Sequence, residues 1–246
     1  MAEPFDPSAL YSAVDLGGVL ANGVLGGVLA RQLKFDPVGF VVLAVLSGLG
    51  GGVLRDTLLQ NGPPVALTNL AYLSTALIGA LIAFTVDLRG KYARRGLLVA
   101  DALALGAWSA TGTSKALSLG LPWLSAIFLG IVTAVGGGMI RDVVVREVPK
   151  VFYPGTLYAT VALLASVVMA VAFSVGAPTL GMGGSIVVAA VVALASRRWG
   201  WSLPDPTDLR VRMPLPRLPW SSRTPDVGPD VGPDVGVDPA AYRPVS

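Results

Sequence analysis

One seven-residue string occurs twice in this chain. Gly50-Gly51-Gly52-Val53-Leu54-Arg55-Asp56 returns as Gly136-Gly137-Gly138-Met139-Ile140-Arg141-Asp142, each time inside a long apolar segment. Three successive glycines weaken a helix, each by about 1 kcal/mol relative to alanine. The Arg-Asp pair that follows sets two full charges where hydrocarbon is expected, and charges inside a membrane need partners. Two broken or bent, charged membrane helices satisfy both constraints. The alternative for the glycines is close helix packing, which small residues favour within membranes.

Composition fixes the solvent. The 246 residues are 53% hydrophobic and 13% charged, with a mean hydropathy of +0.69, which places the chain in the membrane class. A formal charge of +3 is a small excess with no basic stripe, so nucleic acid is not an expected partner. Cys and His are absent, which excludes disulfides, Cys or His metal sites, thiol catalysis and imidazole acid-base chemistry. No metal or cofactor is implied. No nucleophile-base spacing marks an enzyme either. Residues 1–9 carry Glu3 and Asp6 but no Lys or Arg, unlike the basic start of a cleavable signal peptide, so the first apolar segment is expected to stay.

Apolar windows of about 20 residues, enough to cross a hydrocarbon core of about 30 Å, fall at 10–33, 38–60, 65–88, 97–118, 122–145, 156–175 and 180–196. The expected fold is an all-α membrane protein with seven transmembrane helices. Basic residues favour cytoplasmic loops. Arg31, Lys34, Arg89, Lys91, Arg94, Arg95, Arg146, Lys150, Arg197 and Arg198 all fall on one side, and only Lys115 on the other. That distribution puts the N-terminus outside and the C-terminus in the cytoplasm of a multi-pass plasma-membrane protein.

The repeat extends beyond the glycines. Arg141 follows Arg55 by 86 positions, and the same offset aligns Asp15 with Asp101, Gly26 with Gly112, Pro63 with Pro149, Val65 with Val151 and Tyr72 with Tyr158. Three spans per copy is an odd number, so the second copy enters from the opposite face, as in inverted repeats that place a binding or permeation site at their interface. The organisation is a first repeat over 8–88, an inverted second repeat over 96–175, a seventh helix over 178–198 and a Pro/Gly/Asp-rich tail over 199–246. The composition of that tail, with Asp226-Val227-Gly228-Pro229 recurring, reads as disordered. Trp199 and Trp201 beside Arg197 and Arg198 read as an interfacial anchor.

Arg55 and Asp15 are expected at similar depth near one face, and Arg141 and Asp101 near the other. Two pairs follow as charge partners, Asp15 with Arg55 and Asp101 with Arg141; the alternative is that both arginines snorkel to the interfaces. Asp56 and Asp142 are then left without a dedicated cation. With carbonyls exposed at a helix bend they form a path suited to monovalent cations, unless each caps a backbone break or pairs with its neighbouring Arg. Lys115 is either a snorkelling end residue or a gating charge that moves in the membrane field. Tyr72 and Tyr158 read as interface or packing residues, and Gly23 with Gly27 as a close helix contact or a subunit interface.

With seven spans, two inverted three-helix repeats and GGGxxRD in the middle helix of each, the chain resembles the bacterial branch of the trimeric intracellular cation (TRIC) channels over about residues 8–196. The resemblance implies a homotrimer in membrane lipid, with a pore in each subunit passing potassium and sodium. It implies hinges at Gly50, Gly51, Gly52, Gly136, Gly137 and Gly138, and pore-lining roles for Arg55, Asp56, Arg141 and Asp142. The same repeat domain occurs in small bacterial proteins that look like uptake systems for glycine, so a secondary transporter for glycine or a similar small solute is the alternative.

Overall fold

The structure is a computed structural model, and it describes residues 7–88, 90–152 and 157–201. Arg89 and the tail from 202 onward, with its repeated Asp-Val-Gly-Pro, lie outside the described residues. The order is α1 (Pro7–Gln32), α2 (Pro37–Leu59), α3 (Val65–Thr68), α4 (Leu70–Thr85), α5 (Lys91–Ser118), α6 (Trp123–Val144), a 3-10 turn (Lys150–Phe152), α7 (Tyr158–Ser174) and α8 (Pro178–Trp199). No strand occurs among the described residues.

Four of these helices are long and apolar enough to cross a membrane: Leu10–Gln32, Pro37–Leu59, Trp123–Val144 and Pro178–Trp199. α4 and α7 are shorter apolar helices, and α5 is longer but carries Lys91, Arg94, Arg95, Asp101 and Lys115. The third expected span is divided. After Pro63 and Pro64 the chain makes only the single turn of α3, then extends at Asn69, whose side chain accepts the Ala71 N–H at 3.0 Å and caps α4.

Local chemistry sets the other boundaries. Asp36 caps α2 by accepting the Gly39 N–H at 2.7 Å, with Pro37 in the first turn. α8 likewise opens on Pro178 and closes on Gly200 in the left-handed region. α2 begins at 37 and α6 at 123, which preserves the 86-residue offset of the sequence.

The glycine triplets do not break their helices. α2 and α6 run unbroken through Gly50–Gly52 and Gly136–Gly138, so of the readings broken, bent or closely packed the break does not occur. A glycine keeps its N–H and C=O, so the ladder survives where packing outweighs the propensity cost. That packing is the crossing of α2 and α6 at backbone contact. A Cβ on Gly51 would collide with the Thr133 carbonyl oxygen, and one on Gly137 with the Ser47 carbonyl oxygen. Ser47 and Thr133 are themselves 86 residues apart, so each triplet docks on the other repeat's equivalent residue.

The main apolar core lies beside this crossing, where Val19, Leu49, Leu105, Trp108, Val135 and Val161 are buried together. Trp108 packs closely on α1 because Gly18 leaves room: a Cβ there would stand 2.6 Å from Trp108 Nε1. Gly23 packs on the Ala76 backbone and Gly27 on Ala83 and Phe40, so this pair serves contacts within the chain and not a subunit interface. Outward, Val42, Leu77, Leu81, Phe84, Phe128, Leu180 and Val187 remain exposed.

Candidate functional site

Two charge clusters flank the crossing, one from each half. In the first, α1 supplies Asp15, α2 supplies Arg55 and Asp56, α4 supplies Tyr72 and α5 supplies Lys115. Asp15, Arg55 and Asp56 are 6%, 3% and 5% exposed, so each charge must be answered inside the protein. Arg55 Nε donates to Asp56 Oδ1 at 2.8 Å and Arg55 Nη2 to Asp56 Oδ2 at 3.4 Å. Arg55 Nη1 lies 3.5 Å from Asp15 Oδ2, the same oxygen that accepts Tyr72 Oη at 2.9 Å.

Of the alternatives for Asp56, a carboxylate without a dedicated cation or one paired with its neighbouring Arg, the pair with Arg55 is formed, and Asp142 pairs with Arg141 in the same way. Besides Arg55, Asp56 takes Lys115 Nζ on Oδ1 at 2.7 Å and the Val65 N–H on Oδ2 at 3.0 Å. Lys115 reaches it because α5 packs against α1 beside α2. Its aliphatic stem lets the ammonium turn inward to a buried carboxylate instead of outward to the interface. The Lys115 side chain stays about one third exposed. A cavity of about 390 Å³ opens here, lined by Ser12, Asp15, Arg55, Asn69, Tyr72 and Lys115 among others. Deeper, between Val19, Leu49, Asp56 and Trp108, the free volume falls to about 10 Å³.

The second cluster repeats the parts with different wiring. Arg141 Nε donates to Asp142 Oδ1 at 2.8 Å and Arg141 Nη2 stands 2.7 Å from the same oxygen. Asp142 Oδ2 accepts the Lys150 N–H at 3.3 Å. Tyr158 Oη donates to Asp101 Oδ1 at 3.0 Å, as Tyr72 does to Asp15. The expected Asp101–Arg141 pair is not formed. Arg141 Nη1 instead donates to Ser47 Oγ on α2 at 3.4 Å, and the cation at Asp101 is Arg197 of α8, Nη2 to Oδ2 at 3.9 Å. The free space is small: about 50 Å³ beside Asp101, Tyr158, Ser196 and Arg197, and about 10 Å³ beside Gly138, Arg141, Asp142 and Lys150.

Four participants have no such role legible in the sequence. Tyr72 and Tyr158 were legible as a repeated pair at the 86-residue offset, but their carboxylate partners were not. Arg197 has the sequence signature of an interfacial anchor alone, and Ser47 carries no signal beyond its alignment with Thr133. Among the described residues no group of three or more acidic side chains is placed to hold a metal ion.

Residues 12–87 and 98–174 each match the sequence model of the family described as Glycine transporter, once in each half. The chain belongs to this family. Its relatives include a UPF0126 membrane protein of Deinococcus radiodurans, 36% identical over 208 residues covering 84% of this chain and 92% of that protein. The UPF0126 inner membrane protein YadS of Escherichia coli K12 is 33% identical over 195 residues, 78% of this chain and 93% of that one. Among solved structures, a TRIC trimeric intracellular cation channel orthologue from Rhodobacter sphaeroides superposes with a TM-score of 0.73 at 30% identity, over 78% of this chain and all of that one. A second TRIC cation channel gives 0.71 at 30% identity, over 79% and 96%. The family resemblance carried by the two GGGxxRD strings therefore holds across the fold. The protein is a helical membrane protein of a channel or transporter family, not an enzyme.

Proposed function

We propose that the protein is a monovalent cation channel, with one path per subunit running from the first charge cluster past the α2–α6 crossing to the second. One observation carries this reading: each repeat sets an Arg-Asp pair, Arg55-Asp56 or Arg141-Asp142, beside free space on either side of a crossing made of glycine. Carboxylates along a narrow path favour cations, and the TRIC neighbours are named as cation channels. Potassium and sodium are the permeant ions in this reading, since the two carboxylates of each cluster are already answered by Arg55 and Lys115 or by Arg141 and Arg197, which leaves little net negative charge to hold a divalent ion.

In this reading the seven helices longer than one turn all cross the plasma membrane, with repeats over 8–88 and 96–175, a seventh helix over 178–198, and a tail over 199–246. Short connections between successive helices reverse the chain each time, so three spans per repeat invert the second copy. The N-terminus is outside and the C-terminus cytoplasmic, and the subunits assemble as a homotrimer in membrane lipid. Val19, Leu49 and Trp108 close the middle of the path, and Gly50–Gly52 and Gly136–Gly138 are the hinges where α2 and α6 shift to open it.

A different observation favours a second reading. The free space is unequal, about 390 Å³ at the first cluster against about 50 and 10 Å³ at the second, and a path open on one side at a time is what a secondary transporter for glycine or a similar small solute uses. Purified protein in planar bilayers under a potassium gradient separates the two. Discrete cation-selective steps, altered in Asp142→Asn and Arg141→Ala, support the channel. Silent bilayers with saturable glycine uptake into proteoliposomes support the transporter.

A further inference from the structure

Each repeat supplies two carboxylates and one guanidinium to its cluster: Asp15, Asp56 and Arg55 in the first, Asp101, Asp142 and Arg141 in the second. In each, a further cation comes from outside that repeat's own string, Lys115 at Asp56 and Arg197 at Asp101. The arginines of the strings are buried, with side chains 4% and 6% exposed, whereas those of Lys115 and Arg197 are 32% and 42% exposed. The buried cations belong to the repeated string and the accessible ones do not.

Asp101 is where the two halves part. Its counterpart Asp15 is answered by Arg55, but Arg141 is turned to Asp142 and Ser47, which leaves the second carboxylate oxygen of Asp101 to α8. The side chains around Asp101 are specialised. Tyr158 holds Oδ1 at 3.0 Å, while Arg197 faces Oδ2 at 3.9 Å, too far for a hydrogen bond, beside a cavity of about 50 Å³. α8 is brought alongside by the close packing of Gly106 on Ser185, Ile186 and Ala189, where an added Cβ would stand 2.7 Å from Ile186 Cα. Lys150 lies on the Asp142 side, lining a separate cavity.

We propose that Arg197 is a tethered cation at Asp101, occupying the place a monovalent cation takes at that carboxylate, so that the seventh helix sets how readily the second half of the path admits an ion. The proposal deepens the channel reading and rests on it for its function, but the competition at Asp101 is testable by binding alone. The experiment is thermal melting of the full-length chain in detergent against rising potassium chloride, with choline chloride at matched ionic strength as the control. Arg197→Gln gains a saturable potassium stabilisation, half-maximal at a concentration about fivefold lower than for the natural chain, the scale of releasing one partly exposed ion pair. The gain disappears in Arg197→Gln with Asp101→Asn. Arg197→Lys, with the same charge on a shorter reach, gives a gain in between and reads the same effect where Arg197→Gln does not fold. An unchanged potassium response in the variants, or a gain that survives Asp101→Asn, overturns the proposal. Planar bilayers keep the two readings apart. Potassium current from the natural chain, together with an unchanged melting response in Arg197→Gln, overturns the Arg197 proposal and leaves the channel. Silent bilayers with an Asp101-dependent gain overturn the channel and leave the site.

Discussion

The two charge clusters are built from the same seven-residue string and connected differently. In the first, Arg55 bridges Asp56 and Asp15 within its own repeat, and Lys115 arrives from the other repeat. In the second, Arg141 reaches across to Ser47, and Asp101 is answered from α8. The difference teaches that the repeated string specifies the backbone and the buried Arg-Asp pairs, while residues outside the string supply the remaining cation of each cluster. What the halves keep in common is the crossing itself, where Gly51 and Gly137 each meet the carbonyl oxygen of the other repeat.

The largest effects are expected at that shared crossing. Gly51→Leu and Gly137→Leu each drive a side chain into a backbone carbonyl that cannot yield, an overpacking cost of about 3 kcal/mol or more. Both should abolish the monodisperse peak on size-exclusion chromatography in detergent. Gly52→Ala and Gly138→Ala are the matched controls: an added Cβ meets only the Nη2 of Arg55 at 3.8 Å or of Arg141 at 3.7 Å, so melting temperatures should hold or rise with the better helix former. A folded Gly137→Leu beside an unfolded Gly51→Leu would break the symmetry of the crossing. Loss of channel opening in stable Gly52→Ala would sharpen the hinge role.

Next come the charges. Removing one member of a buried pair strands the other, at a cost of about 3–5 kcal/mol, so Arg55→Ala and Asp15→Ala should each melt far earlier than the natural chain. In the double variant the two losses should fall short of their sum by a coupling of about 1–2 kcal/mol. The same cycle on Arg141 and Asp101 should show a smaller coupling, because no ion pair joins them. Equal coupling in both cycles would erase the difference between the halves.

Tyr72→Phe and Tyr158→Phe follow, each deleting one hydroxyl donor to a buried carboxylate at a cost of about 2 kcal/mol. The hydroxyls sit at 2.9 and 3.0 Å from Asp15 and Asp101, so the two losses in melting temperature should match. A larger loss for Tyr158→Phe would mean that Arg197, at 3.9 Å, holds Asp101 less well than Arg55 holds Asp15.

Helical class, membrane setting, the repeat and the buried Arg-Asp strings were legible in the sequence, because apolar window length and an ungapped 86-residue register are properties of the chain itself. The state of the glycines was not. Propensity weighs Gly50–Gly52 against a helix, but the gain from docking α2 on Thr133 appears only once α6 is in place. The partners of Asp56 and Asp101 were hidden for a similar reason. Lys115 and Arg197 lie 59 and 96 positions away in the chain and come from helices with no counterpart residue in the other half: Lys115 aligns with Leu29, and α8 follows the second repeat alone. Depth along a helix predicts which charges share a level of the membrane. It does not say which way a long side chain turns.

The smallest effect belongs to Lys115, and it tests whether the accessible cations stabilise the fold or tune the path. Lys115→Ala leaves Asp56 with two bonds from Arg55 and one from the Val65 N–H, so the carboxylate is not stranded. A partly exposed pair contributes about 0.5–1 kcal/mol, and the melting temperature should fall only slightly, far less than in Arg55→Ala. The same substitution takes a positive charge from the lining of the first cavity, so in the channel reading potassium current should rise although stability barely changes. A fall in stability as large as that of Arg55→Ala would instead make Lys115 part of the fixed scaffold, and the division between buried repeat cations and accessible outside cations would collapse in the first half.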